Sequence, residues 1–338
     1  MDIKEYREVF MKRLLSQLLF EAQKNKATDI HFMINSMYQK CELRGIYGFV
    51  EFKDERILQL FHYLKYCANL DLGNQSIPQS GTFELDLDEK KTYFRFSCIH
   101  LHQSQTGVLR ILNNHPILSI DDLSKKKSQN TIFKRWCNLR TGLILISGPT
   151  GSGKTTTLHV ILEEIAKRKK LKIITLEDPI EIVSDNYVQL QINEKINFTY
   201  EEGIKQLLRH DPDILMIGEI RDEKSAEMAY RAALSGHLVF TTIHSKSATE
   251  AIKRLLELGL TKENLSDTLT AVVNQRLYPS INRKERVCIY EILSNETLKE
   301  YLEHGCLTNH KTIQDEIKYA IKQKIIKQTD AKIDLIDI

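Results

Sequence analysis

Gly148, Pro149, Thr150, Gly151, Ser152, Gly153, Lys154 and Thr155 fit the pattern GxxxxGK[ST] without departure, and Thr156 follows. Each residue type has a physical reason. Glycines let backbone N–H groups wrap an anion, and a helix N-terminus adds partial positive charge. A lysine at this spacing reaches the β- and γ-phosphates of a nucleotide, and the Thr155 hydroxyl can ligate Mg²⁺. The bland alternative is a glycine-rich turn between strand and helix. The apolar run before the loop and the helical pattern after it favour the phosphate cradle.

Phosphoryl transfer also calls for acidic groups. Glu177 and Asp178 follow the apolar run 173–176, and Pro179 stops a strand there. They are expected at a strand's carboxyl end, where open α/β sheets bind ligands. A second run, Ile214-Leu215-Met216-Ile217, leads to Gly218 and Glu219. The position after such a run is commonly Asp, and here it is Gly218. Glu219 can orient or deprotonate an attacking water. The competing reading makes Glu219, Arg221 and Asp222 a surface ion-pair cluster. His244 closes the run 238–243 and is placed to sense a γ-phosphate. His100, His102 and His237 lack such a setting and read as structural, with no metal site.

The elements that must position these groups follow from periodicity. Runs at 143–146, 173–176, 214–217 and 238–243 suit strands buried on both faces. Helical patterns at 154–168, 200–209 and 225–235 separate them, which argues for a parallel sheet flanked by helices. The last part of the chain reads as mainly helical. Before residue 113 the signals are mixed: helices near 3–25 and 55–70, with strands near 29–33, 92–98 and 107–112. The expected organisation is an α+β domain over 1–112, a polar linker over 113–125 and an α/β domain over 126–338.

Composition narrows the class. The 338 residues exceed one ordinary domain and suit two. Lys and Arg number 48 against 45 Asp and Glu, a net charge of +3, which excludes a strongly basic nucleic-acid coat and an acidic tail. Lys125-Lys126-Lys127 reads as a solvated face. No apolar run is long enough to cross a membrane, and the charged N-terminus suits an amphipathic helix better than a secretion signal. Cys41, Cys67, Cys98, Cys137, Cys288 and Cys306 form no CxxC pair and read as reduced thiols of a cytoplasmic protein.

Taken in order, GPTGSGKTTT, TLEDPIE, DPDILMIGEIRD and GHLVFTTIHSKSA resemble the Walker A loop, aspartate box, atypical Walker B and histidine box of the secretion and type IV pilus ATPases, the GspE/PilT family. Weaker likeness extends both ways. Ala27-Thr28-Asp29-Ile30-His31 resembles the start of that family's PAS-like N-terminal domain. Gln79, Gly81 and Arg95-Phe96-Ser97 resemble its later strands. Asn274-Gln275-Arg276-Leu277 and Ile289-Tyr290-Glu291-Ile292-Leu293 resemble the C-terminal domain.

The resemblance implies a RecA-like P-loop NTPase domain preceded by a smaller α+β PAS-like domain. It implies a hexameric motor that hydrolyses ATP to ADP and phosphate with Mg²⁺. Lys154 and Thr155 would bind phosphate and metal, Glu219 would be the catalytic glutamate, and Glu177 and Asp178 would assist metal and water. His244 would couple nucleotide state to the subunit contact. Arg95 and Arg110 match arginines that reach a nucleotide site. The implied partners are a polytopic membrane platform protein and, indirectly, pilin-like subunits, with no direct DNA contact required. The implied location is the inner face of the cell membrane.

Departures refine this. The tetracysteine zinc module of many members is missing, as is their long extra N-terminal domain, so no zinc is expected. Ser245 and Lys246 replace a commoner Thr-Asn, and at the family's RxDG turn Arg44-Gly45 lacks the Asp. Short length and missing zinc point to either the pilus retraction ATPases or the Gram-positive competence ATPases, and a Lys-, Ile- and Asn-rich composition favours the latter, which drive assembly of a pseudopilus for DNA uptake. Pilus retraction or another secretion role is the alternative, ahead of a DNA translocase or a non-enzymatic nucleotide-binding scaffold. An ABC-type signature at Leu234-Ser235-Gly236 fails because it precedes a strand pattern.

Overall fold

The computed structural model describes residues 3–335 apart from 46–47, 74–76, 88–89, 102, 113–117, 169, 194–195 and 284. His102 and the first part of the expected linker lie outside the described residues. The chain divides into two compact units, Met1–Pro116 and Ile117–Ile338.

The first unit opens with α1 (Ile3–Lys24), whose Leu14, Leu15, Leu18 and Ala22 are buried. Next come β1 (Asp29–Asn35), β2 (Gln39–Gly45), β3 (Gly48–Phe52), α2 (Ile57–Cys67), β4 (Gln79–Leu87), β5 (Lys90–Leu101) and β6 (Ser104–Leu112). The strands form one antiparallel sheet in the order β3-β2-β1-β6-β5-β4. Strand alternation sets its two faces. Ile30, Phe32, Phe94, Phe96 and Leu109 turn inward onto the helices. Phe61 of α2 meets Phe32 and Phe96 edge to face at 6.0 and 5.3 Å. Across the sheet, register places Arg44, Asp29, Arg110 and Arg95 side by side on neighbouring strands.

The second unit contains α3 (Ile120–Leu123), α4 (Lys127–Trp136), β7 (Gly142–Ser147), α5 (Lys154–Arg168), β8 (Ile173–Glu177), β9 (Val188–Gln191), α6 (Tyr200–Arg209), β10 (Ile214–Ile217), α7 (Glu223–Leu234), β11 (Leu238–Ile243), α8 (Ala248–Glu257), α9 (Lys262–Thr268), β12 (Leu269–Pro279), β13 (Arg286–Ser294), α10 (Asn295–His304) and α11 (Ile313–Lys322). The sheet order is β13-β12-β7-β11-β10-β8-β9. All pairings are parallel except β12 with β13. Every residue of β8, β10 and β11 is buried, because helices cover both faces. Leu143, Leu145, Leu176, Leu215 and Val239 join α6, α7 and α8 on one side. Ile144, Ile146, Ile173, Met216 and Phe240 join α4 and α5 on the other.

Two sequence expectations change here. The C-terminal part is not mainly helical, since β12 pairs with β13 from Ala271 to Pro279 before α10 and α11 begin. Residues 118–125 of the expected linker belong to the packed second unit. Ile120 and Leu123 are buried, the Ser119 hydroxyl donates to Asp122 at 2.6 Å, and the Ser124 hydroxyl donates to Gln129. Of the cysteines, Cys41, Cys98 and Cys137 are buried and Cys306 is exposed. Among the described residues no helix is long and apolar enough to cross a membrane.

Candidate active site

The loop 148–153 joins the end of β7 to the start of α5. Gly148, Gly151 and Gly153 have φ of +145°, +77° and +86°, in the region that favours glycine. A Cβ on Gly148 would also lie 2.5 Å from the Gln275 carbonyl oxygen. Lys154 opens α5 and is buried, with Thr155 and Thr156 half-buried beside it. Its ammonium donates to the carbonyls of Gly148 at 2.9 Å and Pro149 at 3.1 Å. Burial lowers the Lys154 pKa from its ordinary value, while the charges of Glu219 and Glu181 oppose that shift. Glu181 was not singled out by the sequence reading, although it sits within the aspartate box. The Ser152 hydroxyl is buried in the loop with no hydrogen-bond partner among the described residues, as expected of a polar cradle built for an anion.

Glu177 ends β8 and is 3% exposed. Its Oε1 accepts from Thr175 Oγ1 at 2.7 Å and Gln189 Nε2 at 3.0 Å, and its Oε2 lies 3.3 Å from His159 Nε2. Asp178, the next residue, faces outward and accepts from Arg221 Nη1 at 3.2 Å. Glu219 follows β10. It accepts from Arg221 Nε, and its other oxygen lies 3.5 Å from His244 Nε2. Arg221 therefore ties the aspartate box to the segment after β10. Of the competing ion-pair cluster of Glu219, Arg221 and Asp222, the Glu219–Arg221 pair is present, whereas Asp222 caps α7, accepting from the Ser225 amide at 2.8 Å.

The structure also explains Gly218. Its amide donates to the Leu176 carbonyl at 2.8 Å, so β8 passes close by. A Cβ here would lie 3.1 Å from that carbonyl oxygen and 3.2 Å from the Tyr200 hydroxyl. The commoner aspartate would have to push these neighbours aside by a few tenths of an ångström. Tyr200 is itself a wall of the site, its phenol pKa pushed up by burial. Thr242 Oγ1 donates to the Gly218 carbonyl at 2.7 Å and binds this turn to β11, which His244 follows.

Three polar residues of β12 join the pieces, and the sequence reading gave them no role. Asn274 Nδ2 donates to Ser147 Oγ at 2.9 Å and to the Ser245 carbonyl at 3.2 Å. Gln275 donates to the Ser152 carbonyl and accepts from Thr157 Oγ1 at 3.0 Å. Arg276 donates to the Lys246 carbonyl at 2.8 Å and to Asp334 at 2.9 Å. Phosphate loop and histidine box are thus held by one strand. The signal that could have found them is a run of polar residues inside a β-rich stretch.

The geometry brings Lys154, Glu177, Asp178, Glu219 and His244 together at the carboxyl ends of β7, β8, β10 and β11. Arg95 and Arg110 belong to the first unit, paired directly across β5 and β6. Arg110 Nε donates to Asp29 at 2.7 Å and Arg95 Nε to Ser80 Oγ at 3.2 Å.

The family described as Type II/IV secretion system protein matches residues 4–331. The chain is 32% identical over 337 residues to competence protein ComGA of Bacillus subtilis, covering 94% of this chain and 93% of that protein. It is 34% identical over 336 residues to competence protein ComGA of Halalkalibacterium halodurans, covering 94% and 96%. Its fold is similar to the crystal structure of the pilus retraction motor PilT with bound ADP, at a TM-score of 0.73 and 26% identity over 95% of this chain and 97% of that one. With the four boxes in place and the match running nearly end to end, this chain belongs to the Type II/IV secretion system protein family.

Proposed function

We propose that this protein is an ATP-hydrolysing motor that powers assembly of a competence pseudopilus for DNA uptake. The carrying observation is the convergence of Lys154, Asp178, Glu219 and His244 at one end of the parallel sheet, with the Glu219 charge acting on Lys154 and His244 within 3.5 Å of Glu219. Lys154 and the loop amides hold the β- and γ-phosphates. Glu219 takes the proton of the attacking water, Asp178 and Glu177 set the acidic surroundings, and His244 relays the outcome to a neighbouring subunit. The Thr155 hydroxyl would hold Mg²⁺, a hard cation that takes oxygen donors, with Glu177 and Asp178 assisting it. When bound, that ion withdraws charge from the phosphate oxygens.

The strand order of the second unit supports a RecA-like reading, and the antiparallel sheet of the first supports a PAS-like one. The working form is a homo-hexamer at the inner face of the membrane, acting on a polytopic platform protein that adds pilin-like subunits. The relatives named for competence support this direction. The fold likeness to a retraction motor supports a second reading, in which the same motor withdraws a filament.

One experiment addresses both. A strain deleted for this chain is complemented with wild type, Lys154→Met or Glu219→Gln, then scored for DNA uptake and surface filaments. Assembly predicts loss of both in the deletion and in both variants. Retained filaments with lost uptake favour retraction, and unchanged uptake refutes both readings. Purified Glu219→Gln is expected to bind ATP yet turn over about 10²–10⁴-fold more slowly.

A further inference from the structure

His159 is a titratable side chain buried in the second unit, and the roles above do not use it. It lies on α5, the helix that Lys154 opens, and is 2% exposed. Leu158, Val160 and Ile161 around it are apolar and buried. An imidazole in such a place costs stability unless both ring nitrogens are satisfied. Both are engaged. Nε2 lies 3.3 Å from Glu177 Oε2, and Nδ1 meets the Tyr187 hydroxyl. The Tyr187 ring lies against the imidazole, 6.0 Å between centroids and 28° between planes. A carboxylate only accepts, so Nε2 carries the proton and donates. Burial pushes the Tyr187 phenol up and keeps it protonated, so it donates to Nδ1. The partners thereby select the tautomer.

Thr175 and Gln189 hold Glu177 Oε1 from its own strand and from the neighbouring β9. His159 differs, because it reaches Oε2 from the phosphate-loop helix. We propose that His159 is a positioning residue that transmits the placement of the phosphate-loop helix to the Glu177 carboxylate. A displacement of α5 when phosphate engages its N-terminus carries the donor on Oε2 with it. This rests on the functional reading above, in which Glu177 serves hydrolysis.

The test is steady-state hydrolysis of Mg-ATP by the full chain. His159→Phe fills the ring space without a donor, and His159→Gln restores an N–H near the Nε2 position. His159→Phe is expected to lose about tenfold in kcat with KM for ATP within about twofold, and His159→Gln to recover most of that loss. In a Glu177→Gln background, His159→Phe is expected to lower kcat by less than about twofold more, because the two act as a unit. Equal losses for the Phe and Gln variants, a full further loss in the Glu177→Gln background, or wild-type kcat in His159→Phe would overturn the proposal. The underlying reading fails differently: wild-type turnover in Glu177→Gln, or no turnover in the wild type, overturns it and this inference together.

Discussion

Gln275→Leu removes the side chain that fastens the phosphate loop to β12 while keeping similar volume. Gln275 is fully buried. Its amide nitrogen donates to the Ser152 carbonyl and to Cys288 Sγ, and its oxygen accepts from Thr157 Oγ1 at 3.0 Å. In leucine's place, the Ser152 carbonyl loses that donor in a buried setting, at about 1–3 kcal/mol. Thr157 keeps the Tyr290 hydroxyl at 3.1 Å, so its loss is that of an ordinary bond, about 0.5–1.5 kcal/mol. Burying leucine instead of an amide returns part of this, leaving about 2–3 kcal/mol. The chain has one tryptophan, and Trp136 is buried with Phe133 in the same core as α5. Its emission therefore follows the second unit. With a urea slope of about 2–3 kcal/mol per molar, the midpoint should fall by about 1 M. ADP affinity should fall about tenfold, since the ligand must now order the loop. Gln275→Glu points an acceptor at the Ser152 carbonyl and should be less stable than Gln275→Leu. A leucine variant with its midpoint within about 0.2 M of wild type and ADP affinity within about twofold would refute the reasoning.

Two further outcomes are expected. Gly218→Ala should cost about 1–3 kcal/mol through the 3.1 Å approach to the Leu176 carbonyl, and Gly218→Asp more, because it adds charge beside Glu219; urea midpoints read at Trp136 check both. Lys154 has a folded pKa lowered from 10.5 mainly by burial, so the unfolded chain binds more protons between the folded value and 10.5. Wild-type stability in the absence of nucleotide should therefore gain from this group as pH rises through that window. Lys154→Met should lose that gain, be no less stable than wild type near neutral pH, and show no stabilisation by ADP in thermal melts.

The strands that carry the chemistry were legible because burial on both faces leaves continuous apolar runs, as at 214–217 and 238–243. Helix α5 was legible because the phosphate loop announces its first residue, and α6 because a helical pattern runs over 200–209, where the structure has Tyr200–Arg209. β12 was missed for the opposite reason. Asn274, Gln275 and Arg276 interrupt its apolar pattern, yet all three are buried because they bind loops of the site. Local pattern rules fail where a polar side chain is kept inside for a task. The pairing of Arg221 with Asp178 was hidden too, since β8 and β10, which precede them, are adjacent only in space.

The two sheets also differ in how far apart in sequence their partners lie. In the first unit, hairpins such as β1–β2 and β5–β6 join near neighbours, while β1–β6 closes a long loop. In the second, β7 must meet both β11 and β12, joining Leu145 to Thr241 and to Val272. Non-local parallel pairing is slow, because loop-closure entropy is lost before contacts compensate. The first unit also leaves the ribosome first. During synthesis it will be formed while the nucleotide-binding sheet still waits for β12, the strand that completes the phosphate loop's anchorage.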